Sequence, residues 1–240
     1  MSTIFMSDLH LDKKRPEVIK FFINYMNHVP SSTKAIYILG DLVEYWVGDD
    51  DPADGLKDVF QIISTKSKEI NIYFMHGNRD FLISENFCKK HGMKLLQDPT
   101  LINLYNKKIL LMHGDILCTD DKQYQEYRAL VRSHEWQSEM LIKTLSERLM
   151  IAQQLREKSL EATEKKNEYI MDVNNEAVIE IIKEYDADIL IHGHTHRPNI
   201  HKLQINQKDI KRIVLGDWYD RSFILEFSKD KITIDKQSLS

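Results

Sequence analysis

The stretch Ala35-Ile-Tyr-Ile-Leu-Gly-Asp-Leu42 is a run of five apolar residues that stops on Gly-Asp. A short continuous apolar run bounded by turn residues reads as a strand buried on both faces, because neither face alternates with polar residues. The pattern recurs at Thr3–Met6, Asn71–Met75, Ile109–Met112, Asp188–Ile191 and Arg212–Leu215. Helical stretches lie between the early runs. Glu17–His28 places Val18, Ile19, Phe22, Ile23 and Met26 near a 3.6-residue period, and Leu56–Ser67 is similar. Strands alternating with helices predict an α/β layered core. Ser222–Phe227 and Lys231–Asp235 flank Ser-Lys-Asp and read as an antiparallel hairpin.

The section from Thr119 to Asp172 differs. It is highly charged, lacks a strand signal, and repeats Leu130, Val131, Met140, Leu141, Leu145, Leu149 and Leu155 at mostly helical spacings. It separates two strand-and-motif units. The expected organisation is therefore a core of residues 1–118 and 173–240, with residues 119–172 as a helical insertion.

Composition narrows the class. The chain has 240 residues, 42% of them hydrophobic, which suffices for one large domain carrying an insertion. Eight Gly and five Pro argue against a low-complexity chain. The formal net charge of -4 argues against a nucleic-acid partner, which calls for a basic surface. Cys88 and Cys118 lack CxxC spacing and fit a reducing cytosol better than a disulfide framework. Asp8 and His10 arrive too early for a signal-peptide apolar region, and no apolar run is long enough to span a bilayer. The expectation is a cytoplasmic, monomeric protein.

Five of the strands end on polar motifs: Asp8-Leu-His10, Gly40-Asp41, Gly77-Asn-Arg-Asp80, His113-Gly-Asp115 and Gly193-His-Thr-His196. Residues i and i+2 of an extended segment point to one side, so Asp8 with His10, and His194 with His196, are each placed to chelate a divalent metal. A carboxylate such as Asp41 can bridge two metals. Asn78 offers a neutral carbonyl oxygen, and Arg79 a planar donor fork for a phosphate. Each motif alone is also an ordinary turn. The ordered set of five, each after an apolar strand, is what points to a dinuclear site with N and O donors and no thiolate, which permits Mn²⁺, Fe²⁺ or Zn²⁺.

That order resembles the calcineurin-like metallophosphoesterase superfamily. The resemblance implies a four-layer α-β-β-α sandwich of two mixed sheets flanked by helices, with a helical lid insertion. It implies one metal held by Asp8, His10, Asp41 and His196, and another held by Asp41, Asn78, His113 and His194. Many members carry His after the Asn, where this chain has Arg79. The long motifs Gly40-Asp-Leu-Val-Glu-Tyr-Trp-Val-Gly-Asp-Asp-Asp51, Gly77-Asn-Arg-Asp-Phe81, His113-Gly-Asp-Ile-Leu-Cys-Thr-Asp-Asp121 and His192-Gly-His-Thr-His-Arg-Pro198 are similar to the UDP-2,3-diacylglucosamine diphosphatase family of lipid A biosynthesis. This implies two Mn²⁺ ions, a UDP-linked diacylated sugar lipid as substrate, and water activated by metal that attacks the α-phosphorus to give UMP and 2,3-diacylglucosamine 1-phosphate. Asp41, Arg79 and His194 would be the catalytic set. Asn78, Arg79, Asp121, Ser159, Thr163, Lys166 and His194 would contact substrate, with Tyr124 and Arg156 as additions.

The insertion carries Trp136, Met140, Leu141, Leu145, Leu149, Met150 and Leu155 for an apolar groove, although a helical stripe also serves ordinary packing. Its cations, among them Lys143, Arg148, Arg156, Lys158 and Lys165, suit peripheral association with the cytoplasmic face of the inner membrane, although neighbouring Glu residues dilute them. Two rival readings use the same scaffold. A general phosphodiesterase or dinucleotide polyphosphate hydrolase is disfavoured by the large apolar-bearing insertion. A non-catalytic protein-binding scaffold would be expected to lose ligands, whereas every expected ligand type is present.

Overall fold

The structure is a computed structural model and describes residues 2–165, 172–229 and 231–239, with the side chains of residues 158–165 outside the description. The first half alternates strand and helix: β1 (Ser2–Met6), α1 (Pro16–His28), β2 (Ala35–Leu39), α2 (Lys57–Lys66), β3 (Asn71–Met75), α3 (Glu85–Lys90) and β4 (Met93–Leu96). Then come β5 (Thr100–Leu104), β6 (Lys107–Leu111), a 3-10 turn at Asp115–Leu117, and three helices in succession, α4 (Lys122–Arg132), α5 (His134–Ile142) and α6 (Leu145–Lys165). The chain closes with α7 (Asn175–Tyr185), β7 (Ile189–His192), β8 (Asn199–Ile205), β9 (Lys208–Val214), β10 (Ile224–Ser228) and β11 (Ile232–Asp235).

The strands form two mixed sheets. One has the order β11-β10-β1-β2-β3-β4, the other β5-β6-β7-β9-β8. β1 to β4 are mutually parallel and adjacent in chain order, so right-handed crossovers put α1, α2 and α3 on one face of the first sheet. In the second sheet β6, β7 and β9 are parallel.

Alternation along the strands builds the layers. Ile109 and Leu111 of β6, with Ile189 and Ile191 of β7 and Ile213 of β9, belong to the large core that includes Ile36, Ile38 and Phe74 of the first sheet. Leu110 and Leu190 point the other way and pack with Val178 and Ile182 of α7. A strand covered on both faces must be apolar at every position, which is why these segments read as unbroken runs. The layers are thus helix, sheet, sheet, helix.

The helices start where local chemistry satisfies their first N–H groups. Ser84 caps α3, Asp121 caps α4, Ser133 caps α5 and Asn174 caps α7, each accepting from a backbone N–H two or three residues on; such caps contribute about 1 kcal/mol apiece. Thr144 and Glu147 bond reciprocally ahead of α6, forming a capping box. No helix among the described residues is long and apolar enough to cross a membrane.

Candidate metal centre

All five sequence motifs lie just beyond the C-terminal ends of parallel strands: Asp8 and His10 after β1, Asp41 after β2, Asn78 after β3, His113 after β6, and His194 and His196 after β7. Ligand sites of open α/β sheets form at this edge, because loops there converge without blocking strand pairing.

The backbone at these positions is not extended. Asp8 (φ 54°), His10 (φ 47°), Asp41 (φ 53°), His194 (φ 69°) and His196 (φ 54°) are all left-handed. The expectation that i and i+2 share a side through strand geometry is corrected: the pairs meet because the chain coils tightly after each strand. A left-handed non-glycine residue is uncommon, and clusters of them mark sites that the surrounding structure holds in place.

Each carboxylate has one oxygen held by the protein and the other directed inward. Asp8 Oδ2 accepts from Ser7 Oγ at 2.6 Å and from the His194 N–H at 2.9 Å. Asp8 Oδ1 is buried without a hydrogen-bond partner. Asp41 Oδ1 accepts from the Arg79 N–H at 2.8 Å, while Oδ2 lies 3.8 Å from His10 Nε2 and 3.9 Å from His113 Nε2.

His113 and His196 repeat the device, and His10 faces Glu44 without a hydrogen bond at its buried Nδ1. His10 Nδ1 lies 3.2 Å from Glu44, His113 Nδ1 lies 2.9 Å from the Leu39 carbonyl, and His196 Nδ1 lies 2.9 Å from Asp217. In each case Nε2 faces the centre, and the Nε2 atoms of His10 and His196 stand 3.3 Å apart. Asn78 Oδ1 sits between His113 Nε2 at 3.0 Å and His194 Nδ1 at 2.9 Å. An imidazole fixed through one nitrogen by a carboxylate or carbonyl is the usual arrangement of a metal-bound histidine.

These residues fit divalent cations. Donor atoms of Asp8, His10 and His196 lie within 4.8 Å of one another, as do those of Asp8, Asp41 and His113. Asp41 lies between the two histidine groups, as a bridge requires. The donors are nitrogen and oxygen only, which suits a borderline or hard divalent ion.

Glycines let the loops close on the carboxylates. A Cβ on Gly77 would collide with Asp41, and one on Gly193 would collide with Asp8 and Ser7. The charges are strongly coupled. Burial opposes protonation of His113, but Asp41, Asp115 and Asp8 outweigh it and raise its pKa to about 9. Burial is likewise overcome at His196, where Asp217 and Asp8 raise it to about 10. His194 goes down to about 3, through burial and the neighbouring His113. Against its burial, the surrounding histidines hold Asp8 well below the usual carboxylate range.

Arg79 stands beside this cluster. Its N–H is bound to Asp41, and its Nε is buried without a partner. Asp121 is the N-cap of α4, accepting from the Tyr124 N–H at 3.1 Å. The Tyr124 hydroxyl donates to Asp115 at 3.1 Å, and its ring lies 5.6 Å from that of His194. Lys166 lies outside the described residues, and Ser159 and Thr163 lie on α6 where side chains are not described.

Helices α4 and α6 are tied to the centre by arginines. Arg128 meets buried Asp115 at 2.7 Å, and Arg132 donates to the Gly77 carbonyl at 2.8 Å. Arg156 pairs with Glu44 at 3.0 Å. Arg148 is almost fully buried and binds the Val47 carbonyl and Asp50, each at 2.7 Å. Arg148 thereby joins α6 to the loop that follows Asp41. Of the apolar residues of this segment, Met140 is buried and Trp136 packs near Phe81. Leu145 and Leu149 line a cavity of about 110 Å³ with Leu11, Tyr45 and Trp46, while Leu141 and Met150 are exposed.

Glu44 and Asp217, which stand against His10 and His196, are neighbours that motif reading left without a role. Asp217 had a signal: Gly216-Asp217 follows a strand, as Gly40-Asp41 does. Glu44 had none beyond its place three residues after Asp41.

Residues 1–198 match the family model of the calcineurin-like phosphoesterases. A UDP-2,3-diacylglucosamine hydrolase of Marinobacter nauticus is 43% identical over 232 residues, covering 96% of this chain and 95% of the relative. That of Stenotrophomonas maltophilia is 40% identical over 98% of both chains. That of Hahella chejuensis is 43% identical over 93% of this chain and 92% of the relative. The chain therefore belongs to the calcineurin-like phosphoesterases, in the branch that contains the UDP-2,3-diacylglucosamine hydrolases.

Proposed function

We propose that the chain hydrolyses the pyrophosphate bond of UDP-2,3-diacylglucosamine, giving UMP and 2,3-diacylglucosamine 1-phosphate for lipid A biosynthesis. The observation that carries this reading is the set of half-engaged ligands. Asp8, Asp41, His10, His113 and His196 each have one polar atom held by the protein or facing a fixed carboxylate and another directed into a common space. The full-length similarity to hydrolases of that name supplies the substrate.

In this proposal Asp8, His10, Asp41 and His196 would hold one Mn²⁺, and Asp41, Asn78, His113 and His194 would hold a second. Bound divalent ions supply Lewis acidity at the phosphoryl oxygens and make water a competent nucleophile at neutral pH. Arg79 gives its guanidinium to the phosphates, a role favoured by its buried, unpartnered Nε. Asp41 holds both halves of the site in register. His194, on the Tyr124 side, and Asn78 contact the substrate phosphate, and Asp121, Ser159, Thr163 and Lys166 complete the binding surface. Residues 119–172 act as a lid inserted between core segments 1–118 and 173–240, with Leu145 and Leu149 offering an apolar wall for acyl chains. Exposed Leu141, Ile142 and Met150 with nearby Lys143 suit peripheral contact with an anionic inner-membrane surface. The protein works there as a monomer on the cytoplasmic side.

The test is hydrolysis of UDP-2,3-diacylglucosamine by metal-depleted protein titrated with Mn²⁺ in ¹⁸O-labelled water. The expected result is Mn²⁺-dependent turnover with label in UMP. Label in the lipid phosphate would reverse the assigned polarity. Absence of turnover, with simple diesters still hydrolysed, would replace the lipid substrate by a general phosphodiesterase activity.

A further inference from the structure

Away from the ligands, on the outer face of the second sheet, a cavity of about 360 Å³ is lined by Asp172, Arg197, Pro198, His201 and Arg212, among others. Arg212 belongs to β9 and pairs in register with Leu190 on one side and His201 on the other. Two residues earlier, Ile210 packs in the apolar cluster under α7, so Arg212 occupies a position where the sheet otherwise buries hydrocarbon.

Arg212 is only 7% exposed, and its Nη1 is buried without a hydrogen-bond partner. No carboxylate among the described residues forms an ion pair with it. Asp172 is the acid nearest in effect, but its Oδ2 lies 3.2 Å from Arg197 Nη1. Asp172 is thus engaged by Arg197, and no carboxylate among the described residues pairs directly with Arg212. Burial lowers the Arg212 pKa, and Asp172 partly offsets this. Burial, followed by Arg212, also lowers that of His201, so this imidazole stays neutral and adds hydrogen-bonding capacity without charge. A buried guanidinium without a counter-charge is costly, and water can solvate it but not neutralise it.

We propose that this cavity is a second, non-catalytic oxyanion site that takes the phosphate of a phosphate monoester, with Arg212 as its anchoring cation. The planar fork of a guanidinium matches phosphate oxygens, and the anion supplies the charge that the protein withholds. The volume lies within the range of small-molecule sites, about 300–1,000 Å³, and exceeds what a bare phosphate fills, which leaves room for an organic group. One wall is Arg197, next in the chain to His196, and the lining includes none of the candidate metal ligands. Hydrolysis of a pyrophosphate diester releases two phosphate monoesters. That source rests on the proposed function, whereas the site itself does not.

The test is calorimetric titration of the full chain, held metal-free by a chelator, with inorganic phosphate and separately with UMP. Wild type should bind both, and Arg212→Met should bind roughly tenfold more weakly or worse, as loss of a charged hydrogen bond predicts. Arg212→Lys, which keeps the charge without the fork, should fall between. A measurement on wild type alone guards against misfolding of the variants: phosphate should slow phenylglyoxal labelling of the half-exposed Arg197, read by mass spectrometry. Tighter binding of UMP identifies a nucleotide ligand, and equal binding identifies the phosphate group alone; both support the site. Unchanged binding by Arg212→Met overturns it, as does wild type that neither binds millimolar phosphate nor shows protection at Arg197. Phosphate binding here without any hydrolysis would leave the site standing and remove the proposed function.

Discussion

Arg156 of α6 and the buried Glu44 form an ion pair at 3.0 Å. The second oxygen of Glu44 stands 3.2 Å from His10 Nδ1. One carboxylate therefore links the helix that follows the capping box at Thr144 to an imidazole of the metal centre. Against burial, His10 and then Arg79 and Arg156 hold the Glu44 carboxyl below its ordinary range, so it is charged at neutral pH.

Removing that charge should be felt at the metal. Glu44→Gln keeps the shape but weakens the orientation of His10, and losses of this kind reduce metal affinity about 10–100-fold. Arg156→Ala, which touches only the outer oxygen, should leave metal affinity within about twofold, as expected for a half-exposed pair. Mn²⁺ titration of the two variants checks this; equal affinities would mean that Glu44 does not orient His10.

Gly77→Ala and Gly193→Ala should each disturb a carboxylate directly, since the new Cβ would meet Asp41 or Asp8. Overpacking of this kind costs about 1–3 kcal/mol. Both variants should melt earlier and lose Mn²⁺, measured by thermal unfolding and by metal content after dialysis. Full occupancy in either would mean that the loops tolerate displacement of their ligands.

Arg79→Ala should separate chemistry from metal binding. The side chain contributes no metal ligand, while its backbone N–H, which holds Asp41, survives the substitution. Turnover should drop on the order of 10²–10³-fold, comparable to loss of a charge-stabilising donor elsewhere. Metal content should stay at the wild-type level. Loss of metal together with turnover would assign Arg79 a structural role.

Acid should destabilise the metal-free protein partly through His76. Its Nε2 lies 2.7 Å from the Ile83 carbonyl, and burial lowers its pKa from 6.5 to about 4. The unfolded chain takes up this proton near pH 6.5, and the folded chain only near 4. The contribution to stability is therefore complete above pH 6.5 and is lost as pH falls toward 4, amounting to about 3 kcal/mol. Urea unfolding at pH 7 and pH 4.5 should show a smaller loss for His76→Gln than for wild type. An identical loss would remove His76 from the acid transition.

The strands that carry the site were legible because both of their faces are covered. Ile109 to Leu111 and Ile189 to Ile191 alternate between two different cores, so every residue is apolar and the run is visible. The edge strands of the second sheet were not. β5 (Thr100–Leu104) and β8 (Asn199–Ile205) alternate with exposed positions, β8 carries His201, Lys202 and Gln204, and neither reads as a strand in isolation. Their placement depends on partners, β6 and β9, that only the folded sheet supplies.

The sequence by itself determined the donors and their order: a carboxylate, amide or imidazole after each of five parallel strands, glycines where the loops must approach them, and an arginine after Asn78. Tertiary structure decided which atom of each donor is free. Asp8 Oδ2 is held by the His194 N–H, Asp41 Oδ1 by that of Arg79, His113 Nδ1 by the Leu39 carbonyl, and His196 Nδ1 by Asp217. Most of these partners are tens of residues or more away along the chain. The two oxygens of a carboxylate and the two nitrogens of an imidazole are equivalent or nearly so until the fold brings a distant neighbour against one of them.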